Sequence, residues 1–202
     1  SEKQSNRYLA ASAFFMLTAY LGGWQLPPLI WFLVLLGWLA GAPLWLRRKW
    51  PLPQQGNAML LGWGLLLPFW FALLDLRPDT AAAPKLLALM ALVWLADVAA
   101  YFVGRACGKR KLAPAISPGK SWEGALGGAA AVLVYACWLR GNGWLFENLS
   151  WPATVLAALV LTVVSIEGDL LESWFKRSAG IKDSSSLLPG HGGVYDRTDS
   201  LI

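Results

Sequence analysis

A chain of 202 residues that is 56% hydrophobic and only 14% charged, with 17 basic and 12 acidic residues, cannot coat a water-soluble globule; roughly 25% charged residues is usual for one. The mean hydropathy of +0.48 also excludes a disordered chain, and two cysteines, Cys107 and Cys137, are too few for a disulfide-stapled secreted domain. The composition is that of a polytopic membrane protein, and thirteen tryptophans suit a chain with many membrane–water interfaces.

The chain opens on Ser1 and a polar stretch to Arg7, with neither an initiator Met nor a signal-peptide pattern. It stops at Ile202, directly after a dense polar segment, so the expectation is a fragment of a longer membrane protein. A spanning helix needs about 20 mostly apolar residues. Six stretches qualify in chain order: 9–24, 28–46, 58–76, 85–103, 124–139 and 151–171. The first and fifth are short and need flanking residues or a thinned bilayer to cross. Pro43 and Pro68 fall inside apolar runs, which neighbouring helices can accommodate. None of the runs alternates with the period of two that barrel strands require. The expected fold is therefore all-α, one integral membrane domain over 1–202, in which 1–96 hold spans without site motifs and 97–202 form the catalytic half.

Charge gives an independent test of the span map. With the N-terminus in the cytoplasm and sides alternating, the cytoplasmic segments collect Lys3, Arg7, Arg47, Arg48, Lys49, Arg105, Lys109, Arg110, Lys111, Lys120, Lys176, Arg177, Lys182 and Arg197. Those are 14 of the 17 basic residues, leaving Arg77, Lys85 and Arg140 opposite, as the Lys/Arg excess of cytoplasmic loops requires. Both ends are then expected to be cytoplasmic. The net charge of +5 is explained by this segregation, and no basic helix or zinc spacing points to nucleic acid. The cluster Arg47, Arg48, Lys49 is assigned to topology and a general attraction to anionic lipid.

Two segments carry more than topology asks. In the fourth span Asp97 interrupts an apolar run, a depth that favours a role in a site or a pairing with a base. The loop that follows contains Ser117, Pro118, Gly119, Lys120 and Ser121, similar to a phosphate-binding turn but without the first glycine of a Walker A loop. At the end of the sixth span Glu167, Asp169 and Glu172 fall within six residues. Asp169 shares a helical face with Glu172 and Ser173, and Lys176 follows Glu172 at i+4. An ordinary ion-paired helix end would also account for that spacing. Beyond it, Lys182, Asp183, the only histidine, His191, in a Gly-His-Gly-Gly turn, and Asp196, Arg197 and Asp199 make a polar segment. Glycines let backbone amides approach an anion, and Lys and Arg complement phosphate. Carboxylates with little nitrogen or sulfur suit Mg2+ rather than Zn2+. Together they suggest phosphoryl or nucleotidyl transfer.

The stretch Ser173-Trp174-Phe175-Lys176-Arg177, then Lys182-Asp183, then Leu188-Pro189-Gly190-His191-Gly192-Gly193-Val194-Tyr195-Asp196-Arg197-Thr198-Asp199 resembles the signature of the phosphatidate cytidylyltransferase (CDP-diacylglycerol synthase) family. Lys111 through Ser117-Pro118-Gly119-Lys120-Ser121-Trp122-Glu123-Gly124 is similar to a second block of it. Where the family usually has Asp-Ser/Thr-Gly-Ala-Tyr, this chain has Asp97-Val98-Ala99-Ala100-Tyr101, without the hydroxyl. The resemblance implies transfer of CMP from CTP to phosphatidate, releasing pyrophosphate, with Mg2+; a second, monovalent cation stays open. It implies Asp169 and Asp196 as metal carboxylates. Lys176, Arg177, Lys182 and Arg197 would neutralise phosphate, with Asp183 and His191 orienting them. Ser117, Lys120, Ser173, Asp97 and Asp199 would hold substrate. The partners implied are CTP, phosphatidate and the bilayer, with no nucleic acid and a homodimer left open; the location is a bacterial inner membrane with the site facing the cytoplasm. Two other readings stay in play: a CTP-dependent kinase of a lipid alcohol, and an ion-coupled transporter using Asp97, Glu167 and Asp169, although no internal repeat supports the latter.

Overall fold

The computed structural model describes residues 2–54 and 56–180. Helix α1 (Glu2–Leu21) leads into α2 (Pro28–Leu36), a wide π turn (Gly37–Gly41) and α3 (Ala42–Arg48), which together make one continuous crossing. Helices α4 (Gly56–Leu76) and α5 (Ala83–Cys107) follow, then a hairpin of β1 (Lys111–Ala113) and β2 (Ser117–Ser121), then α6 (Trp122–Gly141) and α7 (Trp151–Ser178). Five of these segments are long and apolar enough to cross a membrane: Pro28–Arg48, Gly56–Leu76, Ala83–Cys107, Trp122–Gly141 and Trp151–Ser178. The expected first crossing is also a helix, but its opening turns, Glu2 to Arg7, are polar, so α1 falls outside that set. The protein is an all-α, polytopic integral membrane protein, and the two short strands are the only strands among the described residues.

Local chemistry explains where the helices bend and end. Pro43 has no N–H to give, and its ring crowds the carbonyl four residues back. The chain relieves this by widening just upstream: Ala42 donates to Gly37, five residues back, in a π turn. Ser121 caps α6 by accepting from the Gly124 amide at 3.1 Å, and Ser150 caps α7 by accepting from Ala153 at 3.3 Å.

The interior is narrow and made of small residues. Ala88, Leu92 and Ala96 of α5 pack against Val132, Ala136 and Leu139 of α6, with Ala158 of α7 closing the cluster. Lipid tails are as apolar as leucine, so helices gain by close van der Waals approach rather than by hiding from water. The α5–α6 seam shows that logic. A methyl group on Gly128 would lie 2.8 Å from the Ala96 carbonyl oxygen, and one on Gly124 would lie 2.7 Å from that of Ala100. The outer faces carry Phe14, Leu21 and Val134, each more than 70% exposed. A water-soluble surface does not bear so many exposed large apolar side chains, whereas hydrocarbon accepts them.

Candidate functional site

The polar residues gather at one end of the bundle, where α3, α5 and α7 finish and α6 begins. Gly104 of α5 and Gly124 of α6 touch there, with Ser121 Oγ 3.1 Å from where a Gly104 Cβ would stand. The hairpin is built on that contact. Its register pairs Lys111 with Ser121 and Ala113 with Ser117. Glu123, in the first turn of α6, accepts from the backbone amides of Lys109 and Arg110 at 3.1 and 3.2 Å. Trp122 N–H donates to the Arg110 carbonyl at 2.9 Å. The basic loop is thus fastened by a carboxylate at a helix N-terminus, where negative charge is favoured.

Fixed in this way, the hairpin brings Lys120 to α7, where its ammonium pairs with Asp169. Both side chains are about a quarter exposed, so the pair lies at the mouth of the bundle rather than inside it. One turn further, Glu172 is 4% exposed and Lys176 Nζ lies 2.7 Å from its Oε2. Two cation–carboxylate pairs, Lys120–Asp169 and Lys176–Glu172, therefore line the last turns of α7. Ser173 sits half-buried on the same stretch and Arg177 is exposed in the last turn. Ser117 opens β2, half-buried. Asp97 lies on the exposed side of α5, two turns before Gly104; Tyr101 and Arg105 follow on that side, with Arg105 donating to the Tyr101 hydroxyl at 3.0 Å.

Of the residues singled out by sequence, Lys120 and Asp169 are brought into contact, and Glu172 and Lys176 form the ordinary ion pair that their spacing allows. Lys182, Asp183, His191, Asp196, Arg197 and Asp199 lie outside the described residues. Sequence reading missed the anchoring roles of Ser121 and Glu123, although Ser followed by Glu at the head of an apolar run was a legible helix-start signal. It also gave no weight to Ser165, whose Oγ is buried in α7 with no hydrogen-bond partner among the described residues, as is Oε2 of Glu167.

The described residues offer one open carboxylate at the mouth, Asp169, paired with Lys120. Among the described residues no group of three His, Cys, Asp or Glu side chains is poised to enclose a metal. Mg2+ commonly takes only one or two carboxylates and completes its shell with water and substrate phosphate, so a single open carboxylate such as Asp169 is compatible in charge and donor type with such an ion.

Fold and site together define a helical integral membrane protein that presents paired carboxylates and cations at one polar end. The chain belongs to the Cytidylyltransferase family, whose family model matches residues 2–202. It is 52% identical over 148 residues to a phosphatidate cytidylyltransferase of Pseudomonas aeruginosa, covering 72% of this chain and 54% of that one. It is 42% identical over 177 residues to one of Haemophilus influenzae, covering 84% and 59%, and 37% identical over 170 residues to one of Synechocystis, covering 78% and 54%. The chain thus spans a little over half the length of these relatives.

Proposed function

We propose that this chain carries the catalytic end of a nucleotidyltransferase that moves CMP from CTP to phosphatidate, giving CDP-diacylglycerol and pyrophosphate at the cytoplasmic face of a bacterial inner membrane. The observation that carries the reading is the meeting of Lys120 and Asp169 at the bundle mouth, in a chain whose relatives are named for that activity. The lipid phosphate is already an anionic nucleophile, so no strong general base is needed. The difficulty is electrostatic: two polyanions must be aligned, and charge must be stabilised on the departing pyrophosphate.

The residues present divide that work. Lys120 is a cation on a hairpin and can exchange Asp169 for a substrate phosphate. Lys176 and Arg177 extend positive charge along α7, with Glu172 fixing the position of Lys176. Asp169, with Asp196 from beyond the described residues, would hold Mg2+, which when bound screens the phosphates and polarises the transferred one. The mouth lies where α7 and α5 end; headgroup depth there would let a soluble nucleotide and a membrane lipid both reach it.

The released product tests the reaction class. With CTP and phosphatidate, pyrophosphate is expected as the sole nucleotide-derived leaving product. Release of CDP would instead mean phosphoryl transfer by a lipid kinase.

A further inference from the structure

The cations of α3 have a structural setting that topology alone does not call for. Arg47 and Arg48 occupy the last turn of α3, and Lys49 caps it in the left-handed conformation at φ +52°. The next residue is held from two sides. The Trp50 carbonyl accepts from Trp45 Nε1 at 2.9 Å and from Trp174 Nε1 of α7 at 2.8 Å. The Trp45 ring meets Trp50 and Phe175 edge-on, both at 5.9 Å, and the Arg48 guanidinium lies 5.7 Å from the Trp50 ring centre. A loop that served only to mark the cytoplasmic side would not need to be tied to another helix.

What the tie presents is a cluster of three exposed cations. Arg47, Arg48 and Lys49 are all exposed, and none forms an ion pair among the described residues. Beside them Trp50 is 40% and Leu44 39% exposed. Indoles at a span's end mark headgroup depth, where cations meet lipid phosphates. We infer that Arg47, Arg48, Lys49 and Trp50 form a binding site for the headgroup of an anionic phospholipid, pinned to the end of α7 and built from residues other than the Lys120–Asp169 pair. The cations take the phosphate, and Trp50 and Leu44 take the glycerol and upper acyl region. Inorganic phosphate shares the charge chemistry but has no use for the apolar side. The inference stands whether or not the mouth transfers CMP.

The test is lipid retention by the purified chain in neutral detergent, read by native mass spectrometry with dioleoylphosphatidylglycerol against dioleoylphosphatidylcholine. Wild type should prefer the anionic lipid, and R47Q/R48Q/K49Q should lose that preference by about tenfold or more, given the attraction each cation contributes near a membrane surface. A control, K109Q/R110Q/K111Q, removes three cations at the same end and should keep the preference. Retention unchanged in the first variant would overturn the site. Equal loss in both would overturn it as well, by showing diffuse charge attraction. Displacement of the lipid by millimolar inorganic phosphate would identify a free-phosphate site instead. The cations are exposed, with only Arg48 resting on the Trp50 ring, and a second measurement does not depend on them: brominated phosphatidylglycerol should quench tryptophan emission, with a smaller effect in W50F. Equal quenching in W50F would place the lipid elsewhere.

Discussion

Glu172 and Lys176 lie one turn apart on α7, and their exposure decides what each is worth. The carboxylate is 4% exposed and its partner about a fifth, so removing the ammonium takes an ion-pair partner from a buried charge. Lys176→Met should therefore lower stability by about 3 kcal/mol, measured by denaturation in detergent. The pair Lys85–Glu147, at 3.5 Å and roughly half exposed on both sides, offers the contrast: Lys85→Ala should cost under about 1 kcal/mol. Lys120 and Asp169 lie between these cases, and their value is functional. Asp169→Asn should abolish lipid-dependent CTP turnover. Lys120→Met should lower it by on the order of a hundredfold, the usual cost of one charge-stabilising donor. Activity near wild type in Asp169→Asn would remove that residue from the metal site. The spacing of Asp169, Glu172, Ser173 and Lys176 was legible in sequence because a helix fixes which residues share a face. The partner of Asp169 was not, because Lys120 reaches it only through a hairpin whose register depends on tertiary contacts.

The seam between α5 and α6 governs how well the site is positioned, since both the hairpin and the α6 cap stand on it. Gly128→Ala would force a methyl against the Ala96 carbonyl, and Gly124→Ala one against that of Ala100. Each should destabilise by about 1–3 kcal/mol, with activity falling as the hairpin shifts. Gly64→Ala in α4 meets nothing within 4 Å and should be neutral or stabilising by up to about 1 kcal/mol. If the seam substitutions proved as mild as Gly64→Ala, the close approach of the two helices would be wrong. Spans were readable from the length of their apolar runs; the π turn before Pro43 and the strands at Ser117–Ser121 were not. In the first case proline forbids one conformation without choosing its replacement. In the second a short polar loop holds no periodicity long enough to read.

Among the described residues the basic segments separate between the two ends of the bundle. Through Trp50–Trp174, Lys120–Asp169 and Glu123 with the Lys109 and Arg110 amides, the basic segments meet at one end. Lys85 with Glu147, and Arg140 stacked 4.0 Å over Trp151, lie at the other. Cys107, exposed at the end of α5, reports on this arrangement. A membrane-impermeant maleimide should label it in inside-out vesicles and leave it unlabelled in right-side-out ones. The reverse pattern would invert the topology and put the mouth out of reach of cytoplasmic CTP. The most direct measurement of the central claim follows the α-phosphate of labelled CTP into the lipid fraction with phosphatidate and Mg2+, in detergent, for wild type and Asp169→Asn in a chain of the relatives' full length. Transfer of label to lipid that is lost with EDTA and lost in Asp169→Asn is the predicted result. Label that never enters the lipid, or enters it equally well with asparagine at 169, would contradict the account.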